Sequence, residues 1–287
     1  SIYFPNYVVP MLPEKLSNDI CSLKPKKKRL CISVEIFIDS KGKKISHRFF
    51  KSVIESKKRF NYEEVEKLIK TNFKTNNSID FETAKNVSNL YNVFEKLKIL
   101  SKKRGALNLK ISETKIVFDK KNKPIDINKV EQLKSHQIIE ELMILANVCA
   151  AEELSKFYND NPYRIHEKPK YEKVLSLINS IGKPFDKIIK NNPLNGKMFN
   201  YILQNSKDSK DFLKINELIL RSQSVARYNN INKGHFGLSL KNYVHFTSPI
   251  RRYSDLIVHR RLSKIIDKLE FKKDIKLKLK DICDHLS

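Results

Sequence analysis

Apolar and polar residues alternate with period two in two stretches of the chain. In the first, residues 30–56, the alternation predicts a β-hairpin that turns between Asp39 and Lys43 around Gly42. In the second, residues 106–127, it predicts another hairpin with its turn at Lys120 to Lys123. Elsewhere the apolar residues recur every three or four positions, which predicts helices over 62–72, 81–104 and 129–158. The longest of these carries Val130, Leu133, Ile138, Leu142, Leu145 and Ala146 on one face, and Gly105 is a natural terminator for the helix before it. Shorter helices are predicted over 170–181, 183–190, 195–205 and 209–227, and two more over 249–270 and 274–286. Tyr163 to His166 reads as extended, Asn229 to Gly234 as a loop, and 235–240 and 244–246 as short strands. Residues 1–22, with Pro5, Pro10 and Pro13, read as irregular. With no internal repeat and no Gly/Ser linker, the pattern predicts one contiguous α+β body.

Tyr243 to Leu262, YVHFTSPIRRYSDLIVHRRL, is the most informative stretch. It reads as an extended run, a sharp turn at Thr247-Ser248-Pro249, and a helix with Ser248 as N-cap and Pro249 in its first turn. Tyr253, Leu256, Ile257 and Leu262 form a buried face, while Arg252, Asp255 and His259 share another strip. Two adjacent arginines at a helix start concentrate positive charge and N–H donors, an arrangement suited to a phosphodiester. Four of the eleven arginines lie in this stretch, although the chain uses Lys for positive charge almost everywhere else. Only Arg offers a planar fork to phosphate. The simpler alternative is a solvated basic helix start.

The formal net charge of +25 favours a polyanionic partner, above all nucleic acid, although the general excess of Lys weakens the inference. No apolar run reaches membrane-spanning length, so no membrane association is expected. Cys21, Cys31, Cys149 and Cys283 lie far apart without metal-ligand spacing, which disfavours zinc and fits a reducing, cytoplasmic setting. Glu140-Glu141 and Glu152-Glu153 are neighbours on a helix and point apart, so neither pair reads as a metal site.

HFTSPIRRYSDL resembles the signature of the ribonuclease II / ribonuclease R family of 3′→5′ exoribonucleases. SIYFPNYVVPMLPEKLSNDICSL, ESKKRFNYEEV, KKRGALNL, EELMILANVCAAE, YRIHEKP and GHFGLSLKNYVHFTSPIRRYSDL resemble further blocks of the same family, in family order, and RIHEKP and HFTSPIRRY lean toward ribonuclease R. The resemblance implies an RNB-type nuclease domain of α+β fold covering residues 1–287 in part, with flanking oligonucleotide-binding barrels absent. It implies processive hydrolysis of single-stranded RNA to nucleoside 5′-monophosphates by a monomer. It also implies Mg²⁺, held by aspartates expected upstream of Ser1, so that this stretch alone is expected to be inactive. A non-catalytic RNA-binding module of the same fold is the alternative.

Carried over residue by residue, the resemblance makes Arg251 the contact to the scissile phosphate, with Arg252 beside it. Tyr62 matches a tyrosine that stacks on bases at the RNA 3′ end, although a core aromatic at a helix start is an equal reading of the residue itself. Its partner in that clamp is sought at His166 or Tyr171. Thr247 and Ser248 could add hydroxyl contacts to phosphate or simply build the turn. His259 could face RNA or pair with Asp255, and Tyr228 and His235 could line the RNA channel or pack in the core.

Overall fold

Each of the two hairpins is closed by an aspartate. Asp39 accepts the N–H groups of Lys41 and Lys43 through one carboxylate oxygen, and Asp119 does the same for Lys121 and Lys123. Gly42 in the first turn and Asn122 in the second sit at φ 83° and 58°, the left-handed conformation such turns need. The computed structural model describes residues 1–74, 79–109, 113–130, 132–182, 194–269 and 279–287. It contains eight strands and eight helices among the described residues, in the mixed α+β arrangement expected.

Contacts divide the chain into two compact units that interleave in sequence. The first takes in Ser1–Lys98, Ser112–Phe157 and His245–Ile275. It opens with β1 (Ile2–Tyr3) paired to β2 (Val8–Val9) and a wide helical turn, Lys15–Ile20. The first hairpin follows, β3 (Lys28–Ile38) antiparallel to β4 (Lys44–Glu55). After it come α1 (Tyr62–Lys70) and α2 (Phe81–Arg104), then the second hairpin, β5 (Glu113–Phe118) with β6 (Pro124–Val130). The unit is completed by α3 (Lys134–Phe157) and α7 (Tyr253–Ile266). Cys149, Ala150, Ala151 and Leu154 of α3 and Val258 and Leu262 of α7 are fully enclosed. These small and branched residues allow the two helices to approach closely. Lys44 and His47 of β4 meet Glu152 and Glu153 of α3, which ties the first hairpin to this core.

The second unit takes in Ile99–Ile111, Tyr158–Val244 and Lys276–Ser287. It contains β7 (Tyr163–Ile165) paired with β8 (Arg227–Asn229), and α4 (Tyr171–Ile181), α5 (Gly196–Asn205), α6 (Phe212–Ser222) and α8 (Leu279–His285). Leu177, Met198, Phe199, Ile202 and Ile219 form its core. Gly196 lies against the carbonyl of Gly105, so closely that a Cβ there would sit 2.0 Å from that oxygen.

Several expected boundaries shift, each for a physical reason. Residues 129 and 130 finish β6, so the long helix starts only at Lys134. The helix expected over 209–227 ends at Ser222, because Gln223 is extended and Arg227 already pairs in β8. Residues 235–240 form no strand: His235 and Leu240 exchange both backbone hydrogen bonds and close a loop, with Ser239 at φ 52°. Residues 244–246 contribute only a bridge from Val244 to Tyr163. The last predicted helix is present as Leu279–His285, and the helix expected over 183–190 lies outside the described residues.

Candidate functional site

The TSPIRR segment forms a turn rather than the start of a helix. Pro249 to Arg251 turn, the N–H groups of Arg251 and Arg252 both donate to the Ser248 carbonyl, and α7 begins at Tyr253 with Arg252 at its N-cap position. Ser248 is therefore not the helix cap, and Pro249 does not occupy its first turn. The cause is Asp255, which is 0% exposed in the first turn of α7. Its Oδ1 accepts from the Ser248 N–H at 2.8 Å and from the Arg252 guanidinium at 2.8 Å, and its Oδ2 accepts from the Ser254 hydroxyl at 3.1 Å. A side chain inside the helix reaches back to the turn, where the cap was expected to reach forward.

The two arginines consequently differ. Arg252 is half-buried and paired with Asp255. Arg251 is exposed, and among the described residues its guanidinium has no hydrogen-bond or ion-pair partner. Two further polar atoms of the segment, Thr247 Oγ1 and Arg252 Nε, are enclosed without a hydrogen-bond partner. Enclosed polar atoms of this kind are rare in native folds.

Phe246 fixes the other side of the turn. Its N–H donates to Asn147 Oδ1 of α3 at 2.8 Å, and its ring stacks on His259 with centroids 4.6 Å apart. His259 donates through Nε2 to the Phe246 carbonyl at 2.8 Å. His259 thus holds the strand end to the helix and makes no direct ion pair with Asp255. Burial lowers its pKa, with the carbonyl bond and the Asp255 charge opposing that shift.

Tyr62 belongs to the same unit. It is the first residue of α1 and lies between Asn61 and Glu64, which form a reciprocal capping box with both bonds at 2.8 Å. The residue is 42% exposed, and its ring stacks on His136.

The remaining candidates lie in the second unit. His166 is 8% exposed and uses both ring nitrogens: Nε2 donates to the Ser224 carbonyl and Nδ1 accepts from the Gly237 N–H, each at 2.7 Å. These partners fix a neutral imidazole with its proton on Nε2. Burial depresses its pKa, and that of neighbouring His235 to about 3. Gly237 is required here, because a Cβ would lie 2.7 Å from His166 Nδ1. Tyr228 is buried under the Arg164 guanidinium, 4.9 Å from the ring centre. Tyr171, at the start of α4, is 72% exposed. His166 and Tyr228 are thus built into the fold, whereas Arg251 and Tyr62 present their side chains to solvent. In the sequence Asp255 stands out only as a residue on the strip of Arg252 and as a possible partner of His259. Its place directly before the apolar run Leu256-Ile257-Val258, seven positions after Ser248, is the one signal for its buried role.

These blocks coincide with a known family: the model of the RNB domain matches residues 1–268. The chain belongs to the RNB domain family. The RNB chain is 34% identical over 268 residues to ribonuclease R of Escherichia coli (strain K12), covering 93% of the chain and 33% of that protein. It therefore spans about a third of the relative's length. Among solved structures it resembles Mycoplasma genitalium RNase R in complex with ribose methylated single-stranded RNA, with a TM-score of 0.88 and 34% identity, over 98% of the chain and 44% of that one. Yeast Ssd1, described as a pseudonuclease, shares the fold at 19% identity and a TM-score of 0.74, over 99% of the chain and 34% of its own.

RNB nucleases use divalent metal, and the described residues do not form a site for one. Among the described residues no three His, Cys, Asp or Glu side chains cluster as ligands, and the Asp255 carboxylate is committed to three donors. No helix of the described residues is long and apolar enough to cross a membrane.

Proposed function

We propose that the RNB chain grips RNA for 3′→5′ exoribonucleolytic hydrolysis, with Arg251 as the residue that contacts the scissile phosphate. The observation that carries this reading is the contrast at the turn: a buried carboxylate clamps Arg252 and leaves Arg251 exposed beside it, without a partner among the described residues. A guanidinium with no partner to give up can fork onto two non-bridging oxygens. In the reaction, water attacks the phosphorus of the 3′-terminal nucleotide. The bond to the 3′-oxygen of the preceding residue breaks, that oxygen takes up a proton, and a nucleoside 5′-monophosphate leaves. Negative charge grows on the phosphoryl oxygens at the transition state, where Arg251 stabilises it. The enclosed Thr247 hydroxyl and Arg252 Nε are unmet polar groups on the same segment. Tyr62 supplies a face for base stacking, which is tolerant of sequence.

The M. genitalium relative in complex with single-stranded RNA supports single-stranded RNA as substrate. A monomer in a reducing, cytoplasmic setting fits the four free cysteines. The test is hydrolysis of 5′-labelled single-stranded RNA by the whole gene product with Mg²⁺. Arg251→Ala is expected to lower turnover by about 10²–10³-fold. Equal turnover in the variant would overturn the role of Arg251. Tight RNA binding without any hydrolysis by the unaltered protein would replace this reading with a non-catalytic RNA-binding module.

A further inference from the structure

Among the described residues the Tyr62 ring has one stacking partner. It lies on His136 of α3, with centroids 3.9 Å apart and planes 23° from parallel. His136 is half-buried, and its Nδ1 is enclosed without a hydrogen-bond partner. An enclosed, unsatisfied ring nitrogen is a cost, and the stack on Tyr62 is the evident interaction that holds the imidazole there. The helix carrying His136 is fixed to the helix carrying Tyr62, because the Ser135 N–H donates to Glu66 of α1 at 3.1 Å. The capping box of Asn61 and Glu64 fixes the backbone at Tyr62 itself. The tyrosine ring thus has a rigid foundation and a backing ring, and 42% of the residue remains open. Lys57, Lys58 and Arg59 precede it and bring positive charge to the same end of α1.

We propose that His136 is a positioning residue for nucleobase stacking. It backs the Tyr62 ring, so that the open face stands ready as a platform for a base of single-stranded RNA before RNA arrives. Ordering a side chain on binding costs affinity, and a ring already fixed by a neighbour avoids that cost. The inference rests on the reading of Tyr62 as a base-stacking residue. What His136 supplies is a flat ring, so another flat ring should replace it and a non-planar side chain should not.

The experiment uses the whole gene product in EDTA, with single-stranded RNA carrying 2-aminopurine among its 3′-terminal bases. Stacking is read as fluorescence quenching and affinity from the same titration. Tyr62→Ala is expected to abolish the quench and weaken binding by about five- to tenfold, at the lower end of one lost base stack. His136→Ala and His136→Gln should do the same, His136→Phe should retain the quench, and the Tyr62→Ala/His136→Ala double variant should be no worse than Tyr62→Ala alone. If Tyr62→Ala loses the quench while His136→Gln keeps it, the positioning role is overturned and the reading of Tyr62 stands. If Tyr62→Ala itself has no effect, the reading of Tyr62 fails, and the inference fails with it. Losses that add in the double variant would show that His136 acts independently of Tyr62 and would also overturn it. Should His136→Ala not fold, the Gln and Phe variants decide the matter.

Discussion

The TSPIRR turn and the loop that closes on His166 both bury polar side chains, but they use them in opposite ways. At the turn, the buried group is the charged Asp255, and its three donors leave one cation, Arg251, outside the network. At His166 the buried group is a neutral ring whose two nitrogens are both met by backbone, and no side chain is left over. A buried charge needs strong, oriented partners and so imposes a fixed geometry on the backbone that carries them. A buried neutral ring needs only two complementary backbone groups. The first arrangement leaves a cation exposed beside a rigid turn, and the second fills space and joins loops.

Four perturbations would sharpen or break this contrast. The largest expected effect is that of Asp255→Ala. It strands the Ser248 N–H and the Arg252 guanidinium, and should cost about 3–5 kcal/mol in urea denaturation. A loss under 1 kcal/mol would mean that the carboxylate is not what holds the turn. Next is Gly237→Ala, whose Cβ meets His166 Nδ1; it should cost about 1–3 kcal/mol while leaving RNA binding at the turn intact.

Third is pH. Burial lowers the pKa of His166 and takes that of His235 to about 3, so the unfolded chain binds protons that the native state refuses. The stability these residues contribute is present above the unfolded value of about 6.5 and is lost as pH falls below it, by at most about 1.4 kcal/mol per pH unit for each group. Denaturation midpoints from pH 7.5 to 5 would check the slope, and a flat profile would refute the neutral-ring account. The smallest effect on stability is that of Arg251→Ala, expected within about 0.5 kcal/mol, because the guanidinium is exposed and has no partner among the described residues. A large destabilisation there would erase the distinction between the two arginines.

The same contrast explains what could be read in advance. Both hairpins were legible because alternation and turn chemistry are local: each turn depends on an aspartate and the N–H groups two and four residues later. Arg251 and Tyr62 stood out through a match of short motifs, which marks residues without showing their surroundings. The start of α7 was misplaced because Ser-Pro is a sound local helix signal, yet the deciding bond runs from Ser248 to a carboxylate seven positions on. Residues 235–240 looked like a strand for a similar reason. Their alternation comes from a loop packed around His166, a residue far away in sequence. The role of His136 was not legible at all, since nothing in the spacing of residues 62 and 136 links them.

The bond from the Ser248 amide to Asp255 also has an experimental use. Its acceptor is wholly enclosed, so the Ser248 proton should trade with deuterium from solvent only when the clamp opens. The amide of a turn residue, normally among the fastest to exchange, would then act as a built-in isotopic clock for the integrity of the site, readable with no RNA, metal or label present.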